Sequence, residues 1–162
     1  MDRAELEEAF LNYQRSVEDI ATRGEWERFP ELFTQDADYV EHAFGTFKGR
    51  DEIRSWIVKT MTTFPGCEMT GFPVMWAVLD PEQGRVVCEI NNPMRDPGDG
   101  SSHGATNITI LDYAGNGLWS REEDVYNPQK FADMTRAWAT VAREHGTLSE
   151  EGARLLAFLE RG

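Results

Sequence analysis

The sequence is poor in cysteine, poor in positive charge and without a long apolar run. Its 162 residues include two cysteines, Cys67 and Cys88. No CxxC pair and no neighbouring histidine pair accompanies them, which excludes a disulfide-stapled scaffold and a zinc-type ligand set, so both thiols are expected to be structural. The three histidines, His42, His103 and His145, also lack metal-ligand spacing, and no metal is expected. Sixteen Lys and Arg stand against 29 Asp and Glu, a formal net charge of −13. Binding to nucleic acid or to anionic lipid depends on Lys and Arg displacing counterions, so neither is an expected partner. No stretch approaches the roughly 18 apolar residues of a membrane span. The opening "MDRAELEEAF" is acidic where a secretory signal would be basic and then apolar, so the cytoplasm is the expected compartment.

What is present is the length of one domain with room for an extension and a clear succession of periodicities. Leu6, Phe10, Tyr13, Val17 and Ile20 follow helical spacing and predict a helix over 2–23, ended by Gly24. "EWERFPELF" reads as a short helix or a pair of turns, with Pro30 opening the second. "ADYVEHAF" switches to the period of two of a strand, and "GTFKG" reads as a turn. A helix from Arg50 carries Ile53, Trp56, Ile57 and Met61 on one face until "FPG" stops it. Then come strands over roughly 67–80 and through "RVVCEINNPMR", a polar loop "DPGDGSS", and a hairpin of "HGATNITILDY" with "LWSREEDVY". Asn127-Pro128 predicts a capped helix start running to about Glu144, where His145 suits the helix dipole. A final helix is expected in "TLSEEGARLLAFLERG", with Leu155, Leu156 and Leu159 apolar. Helices grouped against one antiparallel sheet define an α+β architecture.

Two pieces of this text, "GEWERFPELFTQDADYVEHAFGTFKGRDEIRSWI" and "GLWSREEDVYNPQKF", resemble the SnoaL-like branch of the nuclear transport factor 2-like superfamily, over roughly Leu6 to Phe131. The resemblance implies a cystatin-like α+β barrel: a cone-shaped, curved antiparallel sheet with N-terminal helices closing a central cavity. The domain is then expected over 1–130, with residues 131–162 forming a C-terminal helical extension packed on it. Relatives include ketosteroid isomerases, polyketide cyclases, scytalone dehydratase, limonene epoxide hydrolase and proteins that only bind or dimerise, so function has to be argued from the cavity.

Alternation in the first strand puts Asp38, Val40, His42 and Phe44 on one face and Tyr39, Glu41 and Ala43 on the other. Beside ketosteroid isomerase, "VEH" falls where that enzyme has valine, glutamate and its aspartate base, which places His42 at the base position. A histidine there can accept or deliver a proton near neutrality, or be merely a packed core residue. In the last strand, Ser120, Glu122, Asp124 and Tyr126 share a face opposite Trp119, Arg121, Glu123 and Val125. The resemblance makes the first set the inward one, so Asp124 or Glu122 would hold His42 in one tautomer. Tyr13 lies in the same helix as the isomerase's oxyanion-hole tyrosine, about one turn from its register, and is expected to line the cavity. Glu89 and Asn91 form the polar face of their strand, with Asn107 and Thr109 as counterparts. That face either lines the cavity or is a wet outer side. Trp56, Trp76, Phe72 and Met75 are expected in the core or the pocket wall.

The expected catalytic pair is therefore His42 with Asp124. The expected ligand-facing set is Tyr13, Trp26, Trp56, Glu89, Asn107, Glu122 and Tyr126. One reading is a cofactor-independent acid/base enzyme of isomerase, cyclase, dehydratase or epoxide hydrolase type, acting on an apolar polycyclic or terpenoid-like substrate. Another is a non-catalytic ligand-binding or homodimerising module, and a third is an accessory domain acting through protein partners.

Overall fold

A computed structural model describes residues 1–159. The side chain of Leu159 and the last three residues of the expected C-terminal extension, 160–162, lie outside the described residues. The first helix, α1 (Arg3–Arg23), starts where the Asp2 carboxylate accepts the Ala4 N–H and stops where Gly24 takes φ 68°, a left-handed cap conformation that glycine adopts without a Cβ penalty. A 3-10 turn over Trp26–Leu32 leads into β1 (Phe33–Glu41). The "GTFKG" stretch is not only a turn, because Gly45–Lys48 pairs with β1 as a short edge strand, β2. Helix α2 (Gly49–Thr62) follows, and after it the chain needs Gly66: a Cβ there would stand 2.1 Å from the Thr60 carbonyl oxygen. The expected strand over 67–80 is shortened to β3 (Val74–Asp80), since Gly66–Glu68 forms a 3-10 turn instead. Strands β4 (Arg85–Pro93), β5 (Gly104–Gly115) and β6 (Leu118–Val125) precede helices α3 (Pro128–Glu144) and α4 (Glu150–Leu159).

The six strands form one curved sheet in the order β2-β1-β6-β5-β4-β3. Every neighbouring pair is antiparallel except β1 and β6, which run parallel. That pairing sets Tyr39 beside Glu122 and Glu41 beside Asp124. A bulge in β6 interrupts simple alternation: Tyr113 pairs with Trp119 and Asp112 with Arg121, leaving Ser120 extra. The expectation that Trp119 faces outward with Arg121 is corrected by that one residue. Trp119 is fully buried and packs edge-on to Tyr13.

Two apolar clusters result. The larger unites α1, α2 and the concave sheet face through Leu6, Phe10, Phe33, Ile53, Val86, Leu111 and Trp119. The smaller joins α3 and α4 to Phe64 and Met94 around Trp138, whose indole N–H donates to the Arg95 carbonyl at 2.7 Å. The Arg95 guanidinium lies over that indole ring and binds the Glu68 carboxylate. No helix among the described residues is long and apolar enough to cross a membrane.

Candidate active site

The concave face and the helices enclose a cavity of about 520 Å³. Its walls are mostly aromatic and aliphatic, from Trp26, Phe29, Trp56, Ile57, Met61, Phe64, Phe72 and Phe131. The polar part is concentrated on the inner face of β1, β4, β5 and β6, where Tyr39, Glu41, Asn92, Asn107, Thr109, Glu122, Asp124 and Tyr126 line it. Strand periodicity explains the grouping: residues two apart on adjacent strands form one contiguous patch.

Asp124 accepts three hydrogen bonds. The Thr109 hydroxyl donates to Oδ1 at 2.5 Å, the Asn107 amide to the same oxygen at 2.9 Å, and the Tyr39 hydroxyl to Oδ2 at 2.5 Å. Asn107 is oriented in turn by Asn92, whose amide donates to its Oδ1 at 2.8 Å. Glu122, 3% exposed, receives the Tyr13 hydroxyl at 2.8 Å and lies 3.2 Å from the same Tyr39 hydroxyl that reaches Asp124. Tyr39 has one proton to give. With that proton on the shorter contact to Asp124, a protonated Glu122 donates to the Tyr39 oxygen and the chain is fully satisfied.

The electrostatics agree with that proton arrangement. Burial, and then the charge of Asp124, hold the Glu122 carboxyl well above the usual carboxylate range, even though Tyr13 and Tyr39 pull it down. Burial also raises Asp124, but bonds from Thr109, Tyr39 and Asn107 favour its anion. Both carboxyls are thus raised, with the hydrogen-bond donors concentrated on Asp124. Burial and the adjacent carboxylates push Tyr13 and Tyr39 well above the ordinary phenol value, so both stay neutral donors. Cys88, buried beneath the pair, is pushed up to about 12 by burial and is not a thiolate nucleophile.

The structure brings together Tyr13, Trp26, Trp56, Asn107, Glu122, Asp124 and Tyr126 of the expected set. It places two others elsewhere. His42 is corrected to the outer face: β1 ends at Glu41 and its inward residues are Ala37, Tyr39 and Glu41, the opposite phase. The imidazole Nε2 lies 2.7 Å from Glu123 on the outward side of β6, and the side chain is 45% exposed. That contact is the leading cause of a lowered Glu123 carboxyl. Neither Glu122 nor Asp124 holds His42. Glu89 is also on the outer face, where it accepts the Trp76 indole N–H at 2.8 Å. Its strand turns Val86, Cys88, Ile90 and then Asn92 inward. Trp76 and Met75, expected in the core or pocket wall, are exposed.

Tyr39, Glu41 and Asn92 are the site residues that reading the sequence does not single out. Tyr39 and Glu41 stand together on one face of β1, and Asn92 continues the apolar phase of β4, so the alternation is the available signal. Glu41 is buried and accepts the Ala43 and Phe44 backbone N–H groups at 2.8 and 2.7 Å, fixing the turn at the cavity mouth. Among the described residues no group of His, Cys, Asp and Glu is arranged to hold a metal.

A six-stranded curved sheet closed by helices over a cavity with a polar floor is the ketosteroid-isomerase-like, nuclear transport factor 2-like class of α+β fold. Within it, the family model for the SnoaL-like domain matches residues 2–119, and the chain belongs to that family. No curated protein matches the sequence. Among solved structures, a proposed isomerase from Bacillus subtilis superposes with a TM-score of 0.65 at 14% identity, over 83% of this chain and 95% of its own. SalBIII, an epoxide hydrolase/cyclase-like enzyme of pyran ring formation in the polyether salinomycin, gives 0.61 at 15% identity, over 80% and 95%. A proposed polyketide cyclase from Xanthomonas campestris pv. campestris gives 0.57 at 17% identity, over 82% and 97%. At such identities the likeness is one of fold.

Proposed function

We propose that this protein binds a small, largely apolar molecule in the cavity and transfers a proton on it, with Asp124 as general base and Glu122 as the protonated partner. The observation that carries this reading is the Glu122–Tyr39–Asp124 chain. Three donors favour the anion of Asp124 and burial favours the neutral acid of Glu122, which suits two groups in one cavity to opposite proton roles. Tyr39 touches both, so a proton taken up at Asp124 has a hydrogen-bonded route to redistribute. Isomerisation, cyclisation, dehydration and epoxide opening all need such proton movement and no dissociable cofactor. Tyr13 and Asn92 act as positioning residues, the first on Glu122 and the second on Asp124 through Asn107.

The test is solvent-proton exchange. A panel of enolisable cyclic and polycyclic ketones is incubated with the protein in D2O, and deuterium incorporation is followed by NMR. Catalysed exchange that falls by about a hundredfold or more in Asp124→Asn supports the reading. Exchange unchanged in that variant refutes the assignment of the base. A second reading, a homodimerising module, draws on exposed Met75, Trp76 and Val78 on β3. Its measurement is the sedimentation mass with and without Trp76→Glu.

A further inference from the structure

Glu41 and Asp124 are direct register partners on the parallel strands β1 and β6, and both line the cavity. Neighbouring strands lie about 4.8 Å apart, and like charges placed opposite one another across a sheet repel. Beyond burial, the charge of Glu41 raises the Asp124 carboxyl, and both groups raise the Tyr126 phenol, which also lines the cavity. No ion pair among the described residues involves Glu41, Glu122 or Asp124. Lys59 is the lone Lys or Arg in the lining, and it is exposed at the rim. The enclosure therefore has inward negative charge without an inward cation. Its polar floor is flanked by aromatic pairs: Tyr39 with Trp56, ring centroids 4.6 Å apart, and Tyr126 with Phe131, 4.7 Å apart.

We propose that the cavity's ligand is a basic amine or quaternary ammonium on an apolar body, its positive head seated beside Glu41 and Asp124 against these aromatic rings. Carboxylates supply the counter-charge, and ring faces attract a weakly hydrated cation through their quadrupoles. An acidic ligand meets the opposite field. The inference rests on the cavity being a ligand site, as proposed above, and is independent of proton transfer there.

The experiment titrates the protein with benzyltrimethylammonium, its neutral carbon isostere neopentylbenzene, and 3-phenylpropanoate, at 0.15 M salt so that the general surface charge is screened. Binding is read by tryptophan fluorescence, since Trp26 and Trp56 line the cavity. The expected result is binding of the cation about tenfold tighter than the isostere, with the carboxylate weakest. The preference, read as the ratio of cation to isostere affinity within each protein, should collapse in both Glu41→Gln and Asp124→Asn. Glutamine keeps an acceptor for the Ala43 and Phe44 N–H groups, and thermal melts verify that both variants fold. Equal affinity for cation and isostere, no binding of the cation, or a preference that survives both substitutions overturns the proposal. None of these outcomes bears on deuterium exchange, so the acid/base reading stands or falls separately.

Discussion

Replacing Glu122 with glutamine isolates the titration of the buried carboxyl pair. Glutamine has nearly the shape of a protonated glutamic acid, and its carbonyl still accepts the Tyr13 hydroxyl that lies 2.8 Å from Glu122. At low pH the substitution should cost about 1 kcal/mol or less, the scale of one imperfect hydrogen bond. The wild type behaves differently as pH rises. Its Glu122 carboxyl is held above the unfolded value by burial and by Asp124, so the folded state keeps a proton that the unfolded chain has released. The stability this contributes is complete below the unfolded value of about 4.3 and is lost as pH climbs through the folded one, at up to about 1.4 kcal/mol per unit. The Glu122→Gln variant lacks the Glu122 contribution to that slope, so the difference between the two proteins isolates it. Urea denaturation followed by tryptophan fluorescence at several pH values between 5 and 8 gives the difference directly. The wild-type advantage should shrink steadily and then reverse. A constant difference across that range would show Glu122 already ionised and refute the charge assignment. Glu122→Ala is the contrasting control: it strands the buried Tyr13 hydroxyl, at about 1–3 kcal/mol, at every pH, while Tyr39 keeps its bond to Asp124.

Three further outcomes follow from the packing and the hydrogen bonds. His42→Asn should change stability by less than about 1 kcal/mol, because its contact with Glu123 is a half-exposed surface pair, and should leave ligand binding untouched; a large loss of binding in a calorimetric titration would return His42 to the site. Thr109→Val removes a donor 2.5 Å from Asp124 while keeping shape, so the Asp124 carboxyl should climb further and any catalysed exchange should shift its pH dependence upward. An unmoved profile would contradict the role given to that bond. Trp138→Ala should cost about 3–5 kcal/mol by chemical denaturation, since the ring is fully buried and donates to the Arg95 carbonyl. A loss under about 1 kcal/mol, well below the range for emptying an aromatic site, would mean that the α3–α4 cluster contributes little to folding.

Much of this architecture is legible in residue order. Helical spacing in α1 and α2, the Asn127-Pro128 start of α3, and the hairpins from β3 to β6 are local signals, and local signals survive folding. The inward face of the β6 end is also readable, since Glu122, Asp124 and Tyr126 alternate beyond the bulge. What misleads is phase. In β1 both faces mix polar and apolar residues, so alternation separates Tyr39 and Glu41 from His42 without saying which set is inside. That is decided by the parallel pairing with β6, a contact between residues far apart in the chain. Trp119 shows the same limit from another cause: a one-residue bulge reverses every side chain beyond it, and nothing in "LWSREEDVY" announces Ser120 as the extra residue. Glu89 draws attention because it is polar. The apolar run Val86, Cys88, Ile90 already marks the inner face, and Asn92 is its fourth member.

The proposed chemistry requires one negative charge and one proton shared between two neighbouring carboxyl groups. Carbon-13 NMR of the Glu122 and Asp124 side-chain carboxyls, assigned with Glu122→Gln and Asp124→Asn, measures this directly. At neutral pH the Asp124 carbon is predicted to show the shift of an ionised group and the Glu122 carbon that of a neutral acid, with Glu122 titrating above the ordinary carboxylate range. Two carbons that both ionise near the ordinary values of 3.8 and 4.5 would contradict it.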